Sequence, residues 1–388
     1  MVLTLEILFW ASVLLIFYAV IGYPICLICL DKILKPRQLA KNLDYTPTVT
    51  LMIVAHNEEK VILKKLENSI DLDYPNDKFM ILIASDCSSD KTNQIISDFI
   101  DNHRQFDIKL YSTKYHNGKT NAQNEAQKLV NTEIVVFTDA NSMLKKDSIR
   151  ELVSSFSSDD IAYVCGRLIY ENICNKISKS QSRYWNLDLR LRDIESRLQT
   201  ITAGNGAIYA CRNAEYVDFD PIESHDSSMP LYYALNRKRA IFNPDAIAYE
   251  KPSGNIKDEF HRKVRMSRII IDKMMPTVAI FNVFKYRWFS FFYISHRTIR
   301  YCLWLFHILA CFLSGILGII GYNSYLIMFL AQVTVYLILS IYGLAQCHIP
   351  IINILYIYFI SIIAQIVGVW KVIIKRSSPT WEKAESTR

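Results

Sequence analysis

The chain has 388 residues, of which 44 are Lys or Arg and 37 Asp or Glu, for a net charge of +7, and 51% of it is apolar. That length predicts roughly two to three units rather than one. The basic residues are interleaved with acids and flank apolar runs, without the aromatic-basic alternation of a strand-binding groove, so no nucleic-acid partner is expected.

Ile7 to Leu30 contains no charged residue. A membrane span needs about 20 apolar residues, and a signal-peptide core only about 7 to 15, so this run predicts a retained anchor over 1–31. Lys32, Lys35, Arg37 and Lys41 follow it. Positive flanks stay on the cytoplasmic side, which predicts a cytosolic middle region and a multi-pass protein of the plasma (inner) membrane. The nine cysteines agree with a reducing compartment: outside Cys26 and Cys29 they form no CxxC pair and no disulfide framework.

From 44 to 255 strands and helices alternate. Val49 to Ala55 reads as a buried strand, Glu59 to Ile70 as a helix, Met80 to Ala84 as a strand, Lys91 to Asp101 as a helix. Ile108 to Tyr111, Thr120 to Val130 and Glu133 to Thr138 continue the alternation, which predicts an α/β domain with a parallel, doubly wound sheet. Beyond Leu168 the pattern loosens, with a charged helix over Arg183 to Gln199, strands at Gly206 to Ala210 and Ile241 to Glu250, and a turn at Pro252-Ser253-Gly254.

The segment 256–298 predicts amphipathic and interfacial helices: Ile256 to Met275 carries Arg262, Lys263, Arg265, Arg268 and Lys273, and the aromatic Phe281 to Tyr293 retains Lys285 and Arg287. Tyr301 to Trp370 holds no Asp, Glu, Lys or Arg, so 299–372 predicts three spans, with a basic tail at 373–388. One span before and three after put the C-terminus outside, whereas Lys371, Lys375, Arg376 and Lys383 argue for inside. The absence of charge within the spans opposes a transporter.

Three polar clusters follow predicted strands: His56-Asn57-Glu58-Glu59, Asp86-Cys87-Ser88-Ser89-Asp90, and Asp139-Ala140-Asn141. Open α/β sheets bind ligands outside the carboxyl ends of their strands, so the three clusters predict one nucleotide-sized crevice with a divalent metal and a diphosphate at Asp139. Each has an ordinary reading as well. Asp139 and Asn141 can serve a turn, Ser89 and Asp90 a helix cap, His56 and His225 can be plain polar residues, and the arginines can face lipid headgroups.

The motifs Val49-Thr-Leu-Met-Ile-Val-Ala-His-Asn-Glu-Glu59, Ser85-Asp-Cys-Ser-Ser-Asp-Lys-Thr92, Asn117-Gly-Lys-Thr-Asn-Ala122 and Thr138-Asp-Ala-Asn-Ser142 together resemble the family 2 glycosyltransferases. Gly204-Asn-Gly-Ala-Ile-Tyr-Ala-Cys-Arg212, His225-Asp226 and Arg262-Lys-Val-Arg-Met266 are similar to the membrane branch with cellulose, chitin-oligomer and hyaluronan synthases. The resemblance implies a GT-A nucleotide-sugar domain carried on about four membrane helices. It implies donor contacts at Glu58, Asp86, Lys119, Asp139, Arg262 and Arg265, an acceptor region at Gly204, Asn205, Gly206 and His225, and Asp226 as general base. It implies Mg²⁺ or Mn²⁺ on Asp139 with Asn141.

Three departures stand out. Asn141 replaces a usual Asp, His225 the first acid of an acidic pair, and Met266 a Trp that stacks on the acceptor sugar. The implied activity is inverting transfer from a nucleotide-sugar, expected to be a UDP-sugar, to a polysaccharide or lipid-linked acceptor at the bilayer. A homo-oligomer or export partner is compatible with it. The rivals are a single transfer to a lipid-linked acceptor and, in another class, a catalytically degenerate membrane scaffold.

Overall fold

The computed structural model describes residues 1–36, 38–171, 176–252, 256–345 and 349–380. Arg37, Lys383 and the Ser253-Gly254 part of the expected turn lie outside them. Eight strands form one sheet: β1 (Val49–Ala55), β2 (Phe79–Ser85), β3 (Asp107–Ser112), β4 (Ile134–Asp139), β5 (Met143–Leu144), β6 (Ile161–Tyr170), β7 (Tyr209–Arg212) and β8 (Arg239–Glu250), in the order β3-β2-β1-β4-β7-β6-β8-β5.

β1 to β4 are mutually parallel, as the alternation predicted. β1 and β2 are buried at every position because helices cover both faces of the sheet. Leu51 and Ile53 pack with Ile62, Leu66, Ile96 and Phe99 on one side, while Met52 and Val54 meet Ala122 and Ala126 on the other. Beyond β4, where the sequence pattern loosens, the parallel order is not kept. β7 inserts antiparallel between β4 and β6, and β5 pairs antiparallel with β8, so the sheet is mixed. The cause lies in the chain's path: after β6 it runs along the long helix Lys176–Leu198 and returns through the four-residue β7 into the gap beside β4.

Among the described residues, three helices are long and apolar enough to cross a membrane: Val2–Leu34, Asn323–Gly343 and Ile352–Ile373. Trp288–Tyr301 and Leu303–Ile319, bent by 56° at their junction, make a fourth if taken as one span. The first of the three expected C-terminal spans is therefore short and broken. His307 accepts or donates to the hydroxyls of Tyr336 (2.7 Å) and Tyr358 (2.8 Å), a polar tie between three apolar helices.

The N-terminal helix is clamped to the sheet domain by polar contacts. The Tyr23 hydroxyl donates to Glu195 Oε1 at 2.6 Å, and Arg197 pairs with Asp31 at 2.7 Å. His296 bridges Glu195 (2.6 Å) and Asp188 (3.2 Å) from below. The helix Ile256–Met266 packs on Ile352–Ile373, so the arginines expected at the site are carried on a helix seated against an apolar one.

Candidate active site

Parallel register sets the site. Ala55 pairs with Ser85 and Val54 with Asp139, so β1, β2 and β4 end at one level and release Glu58, Asp86 and Asp139 along one edge. Asp86 is fully buried. Its Oδ1 accepts from Asn117 N–H at 3.1 Å and its Oδ2 from Gly118 N–H at 2.8 Å, with His116 Nδ1 also 2.8 Å from Oδ2. The carboxylate thereby holds the Asn117-Gly118 turn from which the helix Lys119–Gln127 starts. Glu58 is buried at the end of β1, its backbone N–H bonded to Thr92 Oγ1 at 2.7 Å.

Lys119 at the head of that helix forms an ion pair with Asp139. Burial alone would lower the ammonium, but Asp139 and then Asp226 outweigh it and hold Lys119 above its ordinary value. Gly206 faces this pair. A Cβ there would stand 3.0 Å from Lys119 Nζ and 3.2 Å from Asp139 Oδ2, so a side chain would intrude where Lys119 and Asp139 meet. Two residues earlier, Gly204 donates its N–H to the Asp226 carbonyl at 2.7 Å. Asp226 lies in the first turn of the helix His225–Leu235, its Oδ1 accepting from Ser224 Oγ at 2.5 Å.

Beneath Asp139 lies a polar layer that sequence reasoning missed. Lys65 is fully buried, donates to Thr138 Oγ1 at 3.1 Å and to the Ser142 carbonyl, and is lowered by burial to about 7. Glu250, the last residue of β8, accepts from Ser142 Oγ. Lys65 was not singled out within the helix expected over Glu59 to Ile70. Its signal in the sequence is faint, a lysine one residue before Leu66 on the apolar face.

Two expected residues turn away from the cleft. His225 is buried, with Nδ1 3.0 Å from Gln123 Oε1 and Nε2 2.8 Å from the Tyr216 hydroxyl, and stacks over Phe137. Burial, then the Lys119 charge, lowers it to about 3, so it is a neutral core residue beside Asp226 and not a surface one. Asn205 is also buried, donating to the Gly166 carbonyl (2.8 Å) and accepting from Ala207 N–H (3.1 Å), which shapes the loop between the two glycines.

Arg262 makes a bidentate pair with Glu259 at 2.8 and 2.9 Å on its own helix, where Arg265 is half-buried and Met266 is 63% exposed. Arg268, three residues beyond Arg265, donates to the carbonyls of Ser378 (3.1 Å) and Pro379 (2.9 Å), drawing the segment after the last apolar helix to the rim of the site.

The carboxylate of Asp139 and the amide oxygen of Asn141 are oxygen ligands of the kind that suits Mg²⁺ or Mn²⁺, and the missing side chain at Gly206 leaves room beside Asp139. A second set, His56, Asp86 and His116, has ligand atoms within 4.8 Å of one another. Its rings stack at 3.8 Å, and Asp86 already serves two backbone amides and His116, so these groups fit a hydrogen-bonded wall better than a cation site.

The glycosyl transferase family 2 profile matches residues 50–218. The beta-monoglucosyldiacylglycerol synthase of Trichormus variabilis is 28% identical over 176 residues, 44% of this chain and 38% of that protein. The poly-beta-1,6-N-acetyl-D-glucosamine synthase of Staphylococcus epidermidis is 24% identical over 277 residues, 69% of this chain and 64% of that one. The matched stretch thus spans little more than a third of the first relative and under two thirds of the second. In fold, the chain is similar to the mannosyltransferase PcManGT of Pyrobaculum calidifontis, solved with GDP-Man and Mn²⁺, with a TM-score of 0.73, 19% identity and coverage of 96% of this chain and 99% of that one. The chain therefore carries a glycosyl transferase family 2 domain over residues 50–218, a little under half of its length.

Proposed function

We propose that this glycosyltransferase moves one sugar at a time, with inversion, from a UDP-sugar to a lipid-linked or glycan acceptor at the cytosolic face of the bilayer. The observation that carries the reading is the two-residue link Gly204 to Gly206. Gly206 lies against the Lys119–Asp139 pair, Gly204 is bonded to the backbone of Asp226, and Lys119 feels both carboxylates. Leaving-group side and base side therefore meet over one small gap.

In this reading the acceptor hydroxyl attacks the anomeric carbon of the donor, the bond from that carbon to the diphosphate oxygen breaks, and nucleoside diphosphate leaves. Asp226 takes the hydroxyl proton, with Ser224 Oγ orienting its carboxylate. Lys119 neutralises charge gathering on the departing phosphate, and Arg262 is placed to do so once its fork to Glu259 opens. A divalent cation on Asp139 and Asn141 would supply electrostatic stabilisation of the diphosphate. Attack opposite the leaving group turns an α-linked donor into a β-linked product.

The acceptor can be a lipid, as the name of the Trichormus relative suggests for that protein, or a growing glycan, as the Staphylococcus name does. Exposed Met266, in place of a stacking aromatic ring, favours short products over long ones. The test is nucleoside diphosphate release by the purified protein with Mn²⁺ or Mg²⁺ over UDP-sugars and GDP-mannose, with and without diacylglycerol, and with products sized. Release with one UDP-sugar and a short lipid-linked product supports the reading. A ladder of long products replaces the acceptor class with a polymer, and nucleotide binding without release moves the protein to a scaffold.

A further inference from the structure

We propose that Glu250 is the second carboxylate of the divalent-cation site, taking the place that Asn141 leaves without charge. This rests on the metal-dependent reading above. The sequence separates Glu250 from Asp139 by more than a hundred residues, and no motif links them. Strand pairing does: β5 follows Asn141 at once and pairs with the end of β8, Met143 opposite Tyr249, so the next residue, Glu250, comes beside Ser142. Glu250 Oε1 accepts from Ser142 Oγ, and the Ser142 N–H closes the turn onto the Asp139 carbonyl at 3.1 Å. One turn thus carries Asp139, Asn141 and the hydroxyl that aims Glu250.

The charges around it form a single set. Glu250 interacts electrostatically with Asp139, Lys119 and Arg262, and Lys65 beneath responds to both Asp139 and Glu250. Lys119 pairs with Asp139, and Lys65 donates to the Thr138 hydroxyl and the Ser142 carbonyl on either side of Asp139 and Asn141. Glu250 is half-buried at the end of β8. Hard divalent cations favour carboxylate over amide oxygen, and a site with one carboxylate and one amide gains a full ligand charge from Glu250.

The test uses the full-length protein in detergent, with Mn²⁺ binding in the presence of UDP read by electron paramagnetic resonance. Glu250→Gln keeps the acceptor for Ser142 Oγ and removes the charge. It is expected to weaken Mn²⁺ at least tenfold with the melting temperature little changed, and Asn141→Asp in the same protein is expected to restore binding. Glu250→Asp, which keeps the charge, serves if the Gln variant does not fold, and is expected to retain Mn²⁺ binding that Ser142→Ala lowers only slightly. Unchanged Mn²⁺ affinity in Glu250→Gln, or no rescue by Asn141→Asp, overturns the assignment to Glu250. Wild-type protein that binds UDP without taking up Mn²⁺ overturns the metal-dependent reading itself, which is a separate outcome.

Discussion

The two halves of the site are built by different means. The donor half, β1 to β4, comes from successive strand ends in one register, and its groups hold one another: Asp86 fixes the Asn117-Gly118 turn, and that turn presents Lys119 to Asp139. The other half is assembled from separated pieces: the Gly204-Gly206 loop, the helix start at Asp226, the end of β8 and the arginine helix resting on an apolar helix. On the proposed function, the difference teaches that donor binding rests on local chain order, while catalysis rests on how distant segments dock. A preorganised half tolerates changes elsewhere, and an assembled half is where substitutions separate binding from turnover.

The sharpest way to break the comparison is Asp226→Asn. Loss of a general base lowers kcat by about 10²- to 10⁴-fold. Donor affinity, measured by UDP titration, is expected to stay within a factor of a few because no donor-half group bonds the Asp226 side chain. Equal loss of both would show that the halves are not separable.

Asp86→Ala attacks the other half. It strips two backbone amides of their acceptor, and a buried unpaired donor costs about 1 to 3 kcal/mol each. UDP affinity is expected to fall about tenfold or more, with a lower melting temperature. Normal UDP binding would mean that the Asn117-Gly118 turn stands without it.

Gly204→Ala tests the junction between halves. Its Cβ would stand 1.9 Å from the Tyr163 hydroxyl, with the Asp226 carbonyl at 3.1 Å, and overpacking of this kind costs about 1 to 3 kcal/mol. Adding Tyr163→Phe removes the nearest atom and is expected to return part of the lost melting temperature. If it returns none, the backbone beside Asp226 and not the hydroxyl sets the limit.

The smallest effect is a pH slope. Native His225 stays neutral down to about 3, whereas an unfolded imidazole takes its proton near 6.5. The unfolded chain therefore binds more protons between those values, and stability falls as pH drops from 6.5 towards 3, by about 1.4 kcal/mol per pH unit. His225→Gln is expected to melt lower at pH 7.5 but to lose less between pH 7.5 and 5. An identical slope would place the titrating group elsewhere.

Where the sequence was legible follows from the same contrast. β1, β2 and β4 announce themselves as apolar runs ending in polar clusters, because a strand buried on both faces must be apolar and a ligand-bearing turn must not. The long charged helix and the arginine helix were readable too. β6 was not anticipated: Gly166 and Arg167 interrupt its apolar run, although Ser157-Ser158-Asp159-Asp160 marks a turn before it. His225 was misjudged because its neighbours in sequence are polar while its neighbours in space are Phe137, Tyr216 and Gln123. Glu250 left no trace, since a glutamate at a strand end says nothing about the turn that another strand brings to it.

What the sequence determined by itself was the alternation of strands and helices, the apolar spans and the donor motifs, because each depends on periodicity or on residues within a few positions of one another. The tertiary structure alone decided the antiparallel insertion of β7, the burial of His225, the Gly204 latch on Asp226 and the meeting of Ser142 with Glu250. Those depend on which strand lies beside which, and pairing across a hundred residues is set by the packing of the whole sheet.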